Sequence, residues 1–138
     1  MTIDLYFGLN QTHESIDLAT LNKVVQITGG DILHFSQFDA IKHGEKLYYE
    51  LFRNISKATG NDVQVKARCS KGLSVIEYFG GFGALDTTEF SLSSIDADKS
   101  FGLTLRNDET FEENKTVFVQ IAMVYTNVYG ERRIRIFN

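Results

Sequence analysis

One cysteine, Cys69, is all that these 138 residues carry, so no disulfide can close within the chain. Its place on the apolar side of an alternating run suggests a buried thiol acting as a small hydrophobe, and a reducing compartment fits that usage best. Long hydrophobic runs are missing too. No stretch reaches the roughly 18–20 apolar residues a membrane-spanning helix needs, and the N-terminus lacks the charged, apolar and small-residue regions of a signal peptide. The segment is therefore expected to be soluble, and the sequons at Asn10, Asn54 and Asn114 stand without any other sign of secretion. Positive charge is also in short supply. With 14 Lys and Arg against 18 Asp and Glu, the formal net charge is −4, which argues against a dedicated nucleic-acid binder because phosphate binding needs a broad basic surface.

Catalytic and metal-binding patterns are equally sparse. His13, His34 and His43 form neither an i,i+4 pair nor any Cys/His ligand spacing, and Asp96-Ala-Asp98 is too short for a calcium loop. Gly80-Gly-Phe-Gly83 follows a strand without opening a helix, so it reads as a bend and not as a phosphate loop. What is present describes a globular chain: 43% hydrophobic, 12% aromatic and 23% charged residues, enough for one domain or two small modules.

Periodicity changes near Gly60, with helical spacing before it and strand spacing after it. Ile3–Gly8 and Asp31–Phe35 read as short strands. Between them Ser15 is placed to cap a helix with Leu18, Leu21, Val24, Val25 and Thr28 along one stripe, stopped by Gly29-Gly30. Asp39 caps a second helix whose buried stripe is expected to be Tyr48, Leu51, Phe52 and Ile55, closed by Gly60. The order strand, helix, strand, helix implies parallel pairing through a right-handed crossover. Two strands are too few for a complete α/β domain, so residues 1–60 read as the tail of a larger one.

Residues 61–138 read as antiparallel sandwich material that stops short of a complete domain. Val63–Ser70 and Leu73–Phe79 are expected to form a hairpin around Lys71-Gly72. Thr88, Phe90 and Leu92, then Phe101, Leu103 and Leu105, alternate with polar neighbours, and Thr116–Tyr125 is apolar on both faces as a central strand would be. Asn127–Glu131 turns the chain into Arg132–Phe137.

The sharpest chemistry lies in the first of these strands. Val63, Val65, Ala67 and Cys69 fall on one face, and Gln64, Lys66, Arg68 and Ser70 on the other. Lys66 and Arg68 thus stand side by side with Cα atoms roughly 6.5–7 Å apart, a spacing at which both can grip one carboxylate-bearing segment. A solvated strand face has the same pattern. Arg133 and Arg135, opposite Ile134 and Ile136, invite an anionic-surface contact or a merely wet strand face, with Asp108, Glu109, Glu112 and Glu113 placed to neutralise them.

The landmarks Ile3-Asp-Leu-Tyr-Phe7, Ile27-Thr-Gly-Gly30, Lys66-Ala-Arg-Cys-Ser-Lys-Gly-Leu73, Tyr78-Phe-Gly-Gly-Phe82 and Arg132-Arg-Ile-Arg135, in that order, make the chain resemble the cargo-binding adaptor subunit of the COPII inner vesicle coat, the Sec twenty-four family, across essentially its whole length. The resemblance implies an α+β fragment: residues 1–60 the end of a von Willebrand A-like trunk domain, residues 61–138 an incomplete β-sandwich. It implies a protein that selects cargo for vesicles running from the endoplasmic reticulum to the Golgi, in the cytoplasm and peripheral on the membrane, by binding acidic sorting signals in cytoplasmic tails. Lys66 and Arg68 match the family's basic pair there, and Arg133 and Arg135 fall on a coat that presents a basic face to the membrane. The implied partners are the other inner-coat subunit, cargo tails and an anionic membrane surface, with no nucleic acid. No cofactor is implied in this segment, because the family's zinc module lies outside it, and no catalysis. The chain departs from the family in having Lys66 for the usual Arg, Lys71 within a common Ser-Thr-Gly turn and Glu131 for a common Gln; Lys66 keeps the charge but not the planar two-pronged donor. The rival expectation is the C-terminal part of a metal-dependent or hydrolase-like α/β enzyme. A third is a purely structural segment whose subunit recognises cargo elsewhere.

Overall fold

The computed structural model describes residues 2–9, 16–80, 89–111, 114 and 116–138. The expected cap Ser15, His13, the sequon at Asn10, Gly81–Gly83 of the expected bend, Thr88, Glu112 and Glu113 lie outside the described residues.

β1 (Leu5–Gly8) and β2 (Ile32–Phe35) pair in parallel, joined by α1 (Leu18–Thr28). Asp17 caps α1, its carboxylate accepting from the Thr20 amide at 3.1 Å, and Gly29 ends it in the left-handed conformation at φ 72°. Only Val25 of the α1 stripe is fully buried. α2 (Ala40–Ser56) is capped by Asp39, as expected, but ends at Lys57 and not at Gly60. Its stripe is a correction to the sequence reading. Tyr48, Leu51, Phe52 and Ile55 are all exposed, because α2 meets the two-stranded sheet through the neighbouring face, where Asn54 donates to the Tyr6 hydroxyl at 2.6 Å.

β3 (Thr59–Cys69), β5 (Glu89–Asp96), β7 (Val119–Asn127) and β8 (Arg132–Phe137) form an antiparallel sheet in the order β5-β3-β7-β8. β4 (Leu73–Phe79) and β6 (Gly102–Asn107) form a second, antiparallel pair. The expected hairpin of β3 with β4 is therefore absent. The Leu73 amide does donate to the Ser70 carbonyl across a turn with Gly72 at φ 91°, but this turn carries the chain from one sheet to the other. Val63, Val65, Ala67, Tyr78 and Phe90 fill the space between the sheets, and Phe90 meets Tyr78 and Phe101 edge-on at 4.9 and 5.2 Å. Cys69 is only half-buried, not buried as expected, and what burial it has pushes its thiol pKa up.

The α/β part is anchored on β5. The Ser94 hydroxyl, buried, donates to the Thr28 and Gly29 carbonyls at 3.0 and 3.2 Å, and the Lys99 ammonium donates to the Gly30 carbonyl at 3.0 Å. These bonds satisfy carbonyls that the end of a helix leaves without partners. Beside them Lys57 reaches Asp31 at 2.7 Å and Asp96 at 2.9 Å, and Lys99 also pairs with Asp31. Burial would raise the Asp31 pKa, but hydrogen bonds from Lys57 and Lys99, helped by their charges, hold it below its ordinary value. Burial would likewise lower Lys57; its bonds to Asp31 and Asp96 hold it raised.

Candidate functional site

β3 takes its sidedness from the alternation of its residues. Val63, Val65 and Ala67 drop into the core, which turns Gln64, Lys66 and Arg68 outward, and all three are exposed. The strand lies inside the sheet, hydrogen-bonded to β5 on one side and β7 on the other. The backbone beneath Lys66 is fixed from both edges, and that beneath Arg68 is paired to β7.

Register defines the ground around the two cations, since residues directly opposite in antiparallel strands share a face. Glu89, Lys66, Ala122 and Ile136 form one row across the sheet. Arg68 lies opposite Gln120, whose amide donates to the Asn138 side chain at 2.7 Å. Gln64 lies opposite Ser91 and Val124, with Ile134 beyond. The outer face thus carries two cations beside a strip of exposed aliphatic side chains, Ile134 and Ile136 among them.

The cations are not equivalent. Lys66 pairs with Glu89 at 3.2 Å, with about half of each side chain open to solvent (46% and 58%). Arg68 makes no ion pair or side-chain hydrogen bond among the described residues. Its guanidinium offers a planar donor array to solvent.

Arg133 and Arg135 stand on the other side of β8, opposite Tyr125 and Met123, whose side chains pack against the core. They therefore do not share a face with Lys66 and Arg68, and the strand has no wet face set against a dry one, because all six residues of β8 are exposed. Among the described residues, Asp108 and Glu109 make no ion pair with the arginines of β8, whose partners lie elsewhere; Glu112 and Glu113 are outside the described residues. Asp108 pairs with Arg106, Glu131 with Arg133 at 2.6 Å and Asp62 with Arg132 at 2.8 Å. These hydrogen bonds and charges lower the Glu131 pKa and raise that of Arg133.

Sequence reasoning missed Glu89 and the Lys57 cluster. Both join residues far apart in the chain: the β3–β5 register brings Glu89 to Lys66, and the docking of the α2 end beside β5 brings Lys57 to Asp31 and Asp96. Among the described residues, no three His, Cys, Asp or Glu side chains group to hold a metal ion.

The family model "Sec23/Sec24 beta-sandwich domain" matches residues 60–138. Protein transport protein SEC24 B of Arabidopsis thaliana is 34% identical over 136 residues, 99% of this chain. Human protein transport protein Sec24C is 32% identical over 136 residues, again 99% of the chain. The crystal structure of the human COPII-coat protein Sec24c superposes with a TM-score of 0.91 and 32% identity, over 99% of this chain and 18% of that one. This chain spans only 12% of the length of either of the two relatives compared by sequence. With that model over more than half its residues, and Sec24 relatives and a Sec24 structure along nearly all of it, the chain belongs to the Sec24 family.

Proposed function

We propose that this chain is part of a COPII coat adaptor that selects cargo for transport from the endoplasmic reticulum to the Golgi, with Lys66 and Arg68 binding the carboxylates of acidic sorting signals in cytoplasmic tails. The observation that carries this reading is the pair itself: two adjacent cations on the outer face of an interior strand, one of them without an acidic partner among the described residues. The role is binding and not catalysis, with no cofactor in this segment. Residues 1–60 are the end of a von Willebrand A-like trunk domain and residues 61–138 an incomplete sandwich. The protein works in the cytoplasm, peripheral on the membrane, beside the other inner-coat subunit. Arg133 and Arg135 are a separate contact toward an anionic surface.

The energetics suit a coat. A charge-assisted hydrogen bond contributes about 1.5–3 kcal/mol, so two correspond to millimolar or somewhat tighter affinity. Many copies on one membrane raise the effective affinity by avidity while each contact stays quick to release.

The test is a titration of a fluorescent acidic export-signal peptide into the complete parent subunit and its Lys66→Glu, Arg68→Glu variant, following anisotropy at two salt concentrations. Salt-sensitive binding that the variant loses is the expected result. Equal affinity in both proteins refutes the assignment of the pair.

A further inference from the structure

Glu89 occupies the position that a ligand carboxylate would take on Lys66. It opens β5 directly opposite Lys66, on the same outer face, and its carboxylate lies 3.2 Å from the ammonium. More than half of its side chain is exposed, so it can swing into water without stranding a buried charge. Arg68 has no such competitor among the described residues. Resting on the reading of this face as an acidic-peptide site, we infer that Glu89 is its specificity-determining residue, an internal competitor that separates ligands presenting one carboxylate from those presenting two.

The discrimination follows from the asymmetry of the pair. A ligand with one carboxylate binds the open guanidinium of Arg68 and leaves the Lys66–Glu89 pair intact. A ligand with two, spaced like alternate residues of an extended strand at roughly 6.5–7 Å, reaches Lys66 only by displacing Glu89. The displaced pair is exposed and correspondingly weak, so the barrier is modest and reversible. Glu89 also halves the formal charge of the site from +2 to +1, which weakens attraction for any anion within a Debye length.

The variant Glu89→Gln removes the competitor while keeping the shape of the side chain. In the complete parent subunit, a peptide with two carboxylates two residues apart is expected to bind about two- to fivefold more tightly to the variant, the worth of one exposed ion pair. A matched peptide with one carboxylate is expected to gain less, so the ratio of the two affinities rises. In about 1 M salt, where screening reaches roughly 3 Å, the gain is expected to vanish. An unchanged or smaller ratio, with two-carboxylate binding still lost in Lys66→Glu, Arg68→Glu, overturns the role of Glu89 and leaves the peptide site standing. Binding that survives the double charge reversal overturns both.

Discussion

Replacing Lys57 by Met tests whether the α/β part is held to the sandwich by its ionic cluster. The Lys57 ammonium lies 2.7 Å from Asp31, 2.9 Å from Asp96 and 4.0 Å from Asp98, with its side chain 10% and that of Asp96 6% exposed. Removing one member of a fully buried pair costs about 3–5 kcal/mol, because the survivor is left charged and desolvated. Two features reduce that figure. Lys99 still pairs with Asp31 and stands 3.8 Å from Asp96, and Asp31 is 46% exposed, so water screens its loss. Asp96 is then the one poorly compensated charge, for a net cost of about 2–3 kcal/mol. Native-state hydrogen exchange reads this locally: amides at the end of β5 and in the last turn of α2 are expected to exchange about 30- to 150-fold faster, since each 1.4 kcal/mol is tenfold. Adding Asp96→Asn is expected to recover part of the loss, because the stranded charge is gone. A change below about threefold, or a double variant worse than the sum of its parts, refutes the assignment of the cluster as the clamp.

The same cluster sets a pH dependence. Asp31 has a lowered pKa, so its contribution is complete above its ordinary value of 3.8 and disappears as pH falls through the folded value; Lys57 has a raised one, so its contribution is complete below 10.5 and disappears above it. The difference in exchange between wild type and Lys57→Met is therefore expected to be flat near neutrality and to shrink in acid below 3.8. Gly29→Ala places a Cβ at φ 72° and 2.6 Å from the Ser94 carbonyl oxygen and hydroxyl, and is expected to cost about 2 kcal/mol or more in thermal unfolding, where Gly44→Ala in α2, whose Cβ would meet nothing within 4 Å, is neutral or stabilising. Val65→Ala at a fully buried site is expected to lower stability by about 2–3 kcal/mol in urea unfolding, with the m-value unchanged.

Much of the fold is legible in side-chain periodicity, and its failures share a cause. The alternation of Val63, Val65 and Ala67 places the core face of β3 correctly, and Asp39 and Gly29 mark helix ends by the hydrogen bonds their residue types make. These are local properties. Lys71-Gly72 shows where a local signal stops: a tight turn with glycine at positive φ serves equally to reverse a strand within one sheet or to lift the chain into another, and only the packing of β4 on β6 decides. The α2 stripe fails for the complementary reason. Periodicity shows that Tyr48, Phe52 and Ile55 share a face, but burial depends on what lies against that face, which is not encoded in the helix itself.

At the candidate site the division is the same. That Lys66 and Arg68 point outward together is a period-two fact available from six residues. That they differ in electrostatic state is a register fact: Glu89 reaches Lys66 from 23 residues away because β5 runs antiparallel along β3, whereas the register of β7 sets uncharged Gln120 opposite Arg68. Sequence spacing alone makes the two cations interchangeable, while the sheet makes Arg68 the open donor and Lys66 the contested one. The contested position is the one that carries lysine and not arginine. A point charge on a flexible stem lets go of Glu89 more readily than a two-pronged guanidinium would, so the Lys66–Glu89 pair opens more easily than the same pair built on arginine.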